Sequence, residues 1–237
     1  MTDFSLALRQ IRERISSACQ SVGRDPSEIA LMAVSKRHPV AAVRAALAAG
    51  QVDFGENFVQ EGIAKIEAIG QADVRWHFIG HLQSNKTRAA ASWFDWVQTV
   101  DRARIARRLN DQRPHHADPL QVCIQVRIGE EDAKSGVDPQ QVMPLAATIR
   151  ELPRLRLRGL MAIPPPSAHA EQQRANFRRL AELFQSLRDG GYELDTLSMG
   201  MSDDLEAAIA EGSTMLRIGT ALFGPRPQPP QGGVVPH

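Results

Sequence analysis

Short apolar runs recur along the chain, separated by segments whose apolar residues fall at helical spacing. The runs lie at 29–36, 52–55, 74–80, 96–100, 120–128, 157–163, 195–199 and 214–218. Between them the spacing predicts helices near 39–49, 57–69, 84–92, 101–110, 138–151, 168–189 and 202–211. Ahead of the first run, Leu8, Ile11, Ile15, Cys19 and Val22 predict an amphipathic helix over 2–22, which Gly23 ends. Runs such as Ile29–Val34 and Val122–Ile128 show little polar alternation, as strands covered on both faces do.

Local chemistry punctuates this pattern. Asn57 with Gln60, and Asp138 with Pro139 and Gln141, read as helix starts. Gly50, Gly70, Gly190 and Gly212 read as helix stops. Strands alternating with helices imply parallel βαβ units. Eight such units close most naturally into an α/β single-domain (β/α)8 barrel of TIM type, here preceded by an N-terminal helix. A doubly wound open sheet is the alternative. The barrel is expected over residues 1–224, with a Pro/Gly-rich, disordered tail at 225–237.

Composition narrows the function. The chain has 237 residues and a net charge of +1 at pH 7, which offers no clustered basic footprint for nucleic acid. It has no apolar run long enough for a membrane span and no signal core at its N-terminus, so the cytoplasm is expected. Cys19 and Cys123 stand far apart in apolar surroundings and read as buried thiols. His77 and His81 lie in a strand and its loop without further ligands at zinc spacing, so no metal site is expected.

Lysine is scarce. Lys36, Lys65, Lys86 and Lys134 are the only four among 28 basic residues. Lys36 ends the predicted strand at 29–36, where partial desolvation would favour a neutral amine able to attack an aldehyde. A basic cap on a strand end is the plainer alternative. In a barrel the chemistry sits at the C-terminal ends of the strands, and phosphate often binds after the last two. There the chain carries Ser198-Met199-Gly200-Met201-Ser202 and Arg217-Ile218-Gly219-Thr220. Ser198, Ser202, Gly219 and Thr220 are candidates to hold one phosphate, although Ser202 also reads as the cap of the helix at 203–211. An amine that forms an imine beside a phosphate site points to pyridoxal 5′-phosphate (PLP), with Arg217 placed to face its ring nitrogen. Asn57 has two readings, a helix cap or a neighbour of that site. A phosphosugar barrel enzyme without PLP would also explain the phosphate loops.

Longer motifs then join these residues: Ala33-Val34-Ser35-Lys36, Phe54-Gly55-Glu56-Asn57, Trp76-His77-Phe78-Ile79-Gly80-His81, Lys134-Ser135-Gly136, Ser198-Met199-Gly200-Met201-Ser202-Asp203-Asp204, and Arg217-Ile218-Gly219-Thr220. Over roughly residues 6–224 the chain resembles the PLP homeostasis proteins, small barrels related to the N-terminal domain of alanine racemase. The resemblance implies PLP held as an internal aldimine on Lys36. It implies phosphate contacts from Ser198, Met201, Ser202, Gly219 and Thr220, a ring-nitrogen contact from Arg217, and Asn57 nearby. It implies a role in holding or delivering PLP with no firmly assigned reaction. Arg37 departs from the family, whose members often carry a small polar residue there, so the loop geometry is the feature to check.

The alternative is a racemase-like PLP enzyme, which needs acid–base groups on both faces of the substrate carbon. The single tyrosine, Tyr192, precedes the seventh strand and is expected at the far end of the barrel. His81 is the better candidate for a second base, and Cys123 is expected in the core. The expectation is a monomeric carrier with no catalytic residues. Apo PLP-dependent enzymes would be its recipients, and Lys86 or Lys134 transient second acceptors.

Overall fold

The structure, a computed structural model, describes residues 3–70, 73–129, 135–167 and 169–225. Lys134 and residues 226–237 of the expected tail lie outside the described residues. The chain opens with α1 (Phe4–Ser21), then β1 (Ala30–Val34), α2 (Val40–Ala48), β2 (Asp53–Glu56), α3 (Val59–Ile69), β3 (Arg75–Phe78) and α4 (Thr87–Trp93). It continues through β4 (Trp96–Val100), α5 (Ala103–Gln112), β5 (Leu120–Gln125), α6 (Val142–Arg150), β6 (Leu155–Met161) and α7 (Ala170–Asp189). The last elements are β7 (Thr196–Ser198), α8 (Leu205–Ala210), β8 (Met215–Ile218) and α9 (Thr220–Phe223).

All eight strands pair in parallel and in sequence order. Ala30 through Ala33 of β1 pair with Met215 through Ile218 of β8, which closes the barrel and removes the open-sheet alternative. The main core lies between strands and helices. Ala33, Phe54, Phe78, Val97 and Ile124 pack outward against helix residues such as Val43, Leu109 and Ile149, and against Phe94 just beyond α4. Alternate strand residues, among them Met32, Val34, Met215 and Met161, form smaller clusters inside the barrel.

Helix α1 forms because Asp3 caps it, its carboxylate accepting from the Ser5 and Leu6 N–H groups. Phe4, Leu8, Ile11, Ile15 and Cys19 bury one stripe, and the helix packs across α8 and α9. Val22 falls outside the helix and is exposed, because the chain turns at Gly23 with φ at +68°. Among the described residues no helix is long and apolar enough to cross a membrane.

Three expected helix starts are different. Asn57 does not cap α3; Phe58 holds that position, with no side-chain bond. Asp138 precedes a short 3-10 turn and pairs with Arg127 instead of capping. Ser202 does not cap the helix after β7, which begins later, at Leu205. In each case a tertiary partner or cavity claims the residue that a cap would use.

Candidate functional site

At the C-terminal mouth of the barrel lies a cavity of about 480 Å³. Its wall carries Val34, Lys36, His38, Asn57, Ile79 and Ile163 from the first half-barrel and the β6 loop. Met201, Ser202, Asp203, Arg217, Gly219, Thr220 and Ala221 complete it from the loops after β7 and β8. The structure thus brings together Lys36, Asn57, Met201, Ser202, Arg217, Gly219 and Thr220. It does not bring Ser198 to the wall. That residue is fully buried, and its hydroxyl lies between Arg217 and Gln98.

Lys36 stands two residues beyond β1, in a turn closed by the bond from His38 N–H to the Ser35 carbonyl, at 3.0 Å. Its neighbours are clamped. Lys65, buried on α3, donates to the Ser35 carbonyl at 2.7 Å, to Glu56 at 2.6 Å and to Glu61 at 2.8 Å. The Ser35 hydroxyl donates to the same Glu56 oxygen at 2.6 Å. On the other side of Lys36, the Arg37 N–H donates to Glu61. Arg37 is the only non-glycine residue with positive φ among those described, at +63°, a conformation that costs energy unless its surroundings impose it. Its guanidinium lies 5.7 Å from the Phe58 ring centroid. The departure at position 37 is therefore accommodated, and the loop geometry is fixed by ion pairs beneath it. Burial pushes the Glu56 carboxyl up, while the Lys65 ammonium and the Ser35 hydroxyl pull against that shift.

Asn57 is set by a close approach of two loops. A Cβ on Gly80 would lie 2.0 Å from the Asn57 carbonyl oxygen, so only glycine lets the β2 and β3 loops touch there. Asn57 Oδ1 is a buried acceptor without a donor from the protein, at the cavity wall. Opposite, Gly200 takes φ at +96° and its carbonyl accepts from the Arg217 N–H at 3.0 Å, which ties the β7 loop to β8. Asp204 turns back to accept from the Met201 N–H at 2.6 Å; burial raises its carboxyl.

Arg217 is buried within β8. It donates to Ser198 Oγ at 2.8 Å and to the Ala162 carbonyl at 2.7 Å. Burial lowers its guanidinium to about 10, still charged at neutral pH. Around the polar groups, Val34, Ile79 and Ile163 give apolar surface, so the cavity suits a flat ring bearing an anion.

Other candidates fall elsewhere. His81 is exposed and does not line the cavity, Lys86 lies in the 3-10 turn before α4, and Cys123 is buried in β5 with its thiol pushed up by burial. Tyr192 precedes β7 at the opposite end of the barrel, under the Arg150 guanidinium at 5.0 Å. Sequence reasoning missed His38, which stacks on Phe223 with centroids 5.0 Å apart, and it missed the Lys65 cluster. Glu61 and Lys65 are four apart on a predicted helix, a readable pair, but nothing in the spacing shows that it faces inward.

A family model described as the alanine racemase N-terminal domain matches residues 6–227. The pyridoxal phosphate homeostasis protein of Escherichia coli K12 is 53% identical over 229 residues, covering 95% of this chain and 98% of that protein. The protein of the same name from Pseudomonas aeruginosa is 53% identical over 226 residues, covering 95% and 97%. Among solved structures, PipY of Synechococcus elongatus with PLP bound superimposes with a TM-score of 0.78 at 39% identity, covering 89% of this chain and all of that one. An alanine racemase from Clostridium difficile 630 shares the fold at a TM-score of 0.70 and 15% identity, and this chain spans 57% of its length. With half of its residues shared across nearly the whole of both chains, this protein belongs to the pyridoxal phosphate homeostasis family, built on the alanine racemase N-terminal domain.

Proposed function

We propose that this protein binds PLP in the cavity at the barrel mouth and serves PLP homeostasis as a carrier. The observation that carries the reading is the convergence of Lys36, Arg217 and the β7 and β8 loops on one cavity, in a family whose member PipY has been solved with PLP. When bound, PLP supplies an aldehyde that condenses reversibly with a primary amine. Among the described residues Lys36 is the lysine on the cavity wall, and the clamp on Ser35 and Arg37 fixes the backbone that carries it. Ser202 and Thr220 offer hydroxyls to the phosphate, and Met201 and Gly219 offer backbone beside them. Arg217 faces the ring nitrogen, where a guanidinium acts as a donor that does not give up its proton. The unpartnered Asn57 oxygen is an acceptor for a ring substituent. Ser198 acts from behind, holding Arg217 and not the phosphate.

The test is near-visible absorbance of the purified protein before and after borohydride reduction, followed by peptide mass mapping. The expected result is a band lost on reduction, with the added mass on the Lys36 peptide and absent from Lys36→Ala. A protein that stays colourless with added PLP and gains no mass overturns the reading.

A racemase-like activity finds less support, because Tyr192 lies at the far end of the barrel and His81 is not on the cavity wall. Exchange of amino-acid α-protons in D2O would establish it. The carrier reading includes a monomer that passes PLP to apo-enzymes in the cytoplasm. Sizing by light scattering, and reactivation of an apo-enzyme by the loaded protein faster than by release alone, test those two points.

A further inference from the structure

Behind Arg217 a row of buried polar side chains crosses the inside of the barrel. Arg217 Nη1 donates to Ser198 Oγ at 2.8 Å, and the Ser198 hydroxyl donates to Gln98 Oε1 at 2.7 Å. Gln98 Nε2 lies 3.1 Å from His77 Nδ1, and His77 Nε2 lies 2.9 Å from Asp53 Oδ1. Arg75, half-exposed at the opposite rim, grips both Asp53 oxygens at 2.7 Å.

The direction of every bond follows from the first. A guanidinium only donates, so Ser198 must accept from it and spend its single proton on Gln98 Oε1. That fixes the amide with its NH2 toward His77. His77 Nδ1 must then be bare and its proton on Nε2, aimed at Asp53. Burial lowers the imidazole despite the pull of Asp53, which keeps the ring neutral as this tautomer requires. The ring is also stacked on Trp96, with centroids 5.1 Å apart. Burial pushes the Asp53 carboxyl up, but the bonds from His77 and Arg75 outweigh it and bring it down to about 2. The row thus runs from a cation at the cavity to an anion at the other rim, all bonds pointing one way, so that each polarises the next. An apolar filling would close a barrel interior without needing five matched partners. A row whose one free end reaches the cavity wall has a use there.

We propose that Gln98, His77 and Asp53 are positioning residues for Arg217, holding its guanidinium from inside the barrel against the ring nitrogen of PLP. The inference rests on the PLP reading above and adds residues that touch no part of the cavity. Without the row, the Ser198 hydroxyl is free to turn, and the guanidinium loses its fixed acceptor on that side.

The test compares PLP with its 1-deaza analogue, in which a C–H replaces the ring nitrogen, on the wild-type protein and on Gln98→Met and Asp53→Asn. Asp53→Asn keeps an oxygen for His77 and serves if Gln98→Met does not fold. The expected result is PLP binding weakened about 3- to 10-fold by Gln98→Met, the worth of one positioned hydrogen bond. Asp53→Asn should show a smaller loss in the same direction, with analogue binding unchanged in both variants. A merely structural role weakens both ligands equally, and that result, or no change for either, overturns the proposal. If the wild-type protein binds neither compound, the PLP reading itself fails, which is a different outcome from equal losses.

Discussion

Lys36 and Arg217 face one cavity, yet they are held by buried polar systems of opposite construction. Beneath Lys36 the system is compact and charged: one ammonium, two carboxylates and a hydroxyl, gathered on the backbone at either side of the lysine. Behind Arg217 it is extended, with neutral groups in the middle and charges at the ends. The first fixes the backbone turn that carries Lys36 at the cavity wall. The second fixes the direction of one side chain. The two should also fail differently. Removing a partner from the compact cluster strands a buried charge, whereas interrupting the row leaves dipoles that can turn.

The largest effect therefore belongs to the cluster. Lys65→Met leaves Glu56, fully buried, without its cation, and should destabilise the fold by about 3–5 kcal/mol. Denaturant unfolding at neutral pH measures it. Adding Glu56→Gln should restore part of the loss, because the fully buried carboxylate is then gone and only the partly exposed Glu61 lacks its cation. A loss under about 1 kcal/mol would mean that water reaches the cluster, and the contrast with the row would be lost. Next comes the contact that carries Asn57 to the wall. Gly80→Ala forces a carbon to within 2.0 Å of a backbone oxygen, which no side-chain rotation relieves, and should cost about 3 kcal/mol. An alanine variant as stable as the parent would show that the two loops can part.

The row's charged end is smaller and depends on pH. The Asp53 carboxyl falls from 3.8 to about 2 on folding, so its contribution is fully present above the higher value and lost as pH falls through the lower one. The shift corresponds to about 2 kcal/mol, which Asp53→Asn should remove at neutral pH. Parallel unfolding curves at stepwise lower pH should show parent and variant converging as acid protonates Asp53. A gap of constant size down to the lowest pH would place the cost in packing around residue 53 and not in the carboxylate's charge or its pair with Arg75.

The barrel was legible because its signal is repeated: eight apolar runs and the helices between them admit few closures, and β1 meeting β8 decides among those. Lys36 and the two glycine/hydroxyl loops were legible for a related reason. Scarce lysine and paired loops stand out from an arginine-rich background. The supports behind them were not. Gln98 sits between Val97 and Thr99 in a short run, where one polar residue looks like noise, and Asp53 looks like the start of a strand. Their meaning depends on which strands face each other across the barrel, a distance in space that no spacing along the chain encodes. Ser198 was misplaced for the same reason: its neighbours Gly200 and Ser202 belong to the cavity loop, but the strand's alternation turns its hydroxyl to the row.

Ser202 gives the smallest effect and separates the two readings its sequence allowed. As a helix cap, its hydroxyl would be worth about 1 kcal/mol. The helix starts three residues later at Leu205, behind Asp204, and no side chain caps it. The Ser202 carbonyl accepts from Arg14 at 3.0 Å, a bond that alanine keeps, while the residue lines the cavity. Ser202→Ala should therefore leave unfolding without PLP within about 0.5 kcal/mol of the parent. It should weaken PLP by about 3- to 10-fold, the loss of one hydrogen bond to a phosphate oxygen. Unfolding and titration of the same preparation decide it. Lost stability with intact affinity would return the Ser202 hydroxyl to the helix and leave the phosphate to the β8 loop and the Met201 backbone.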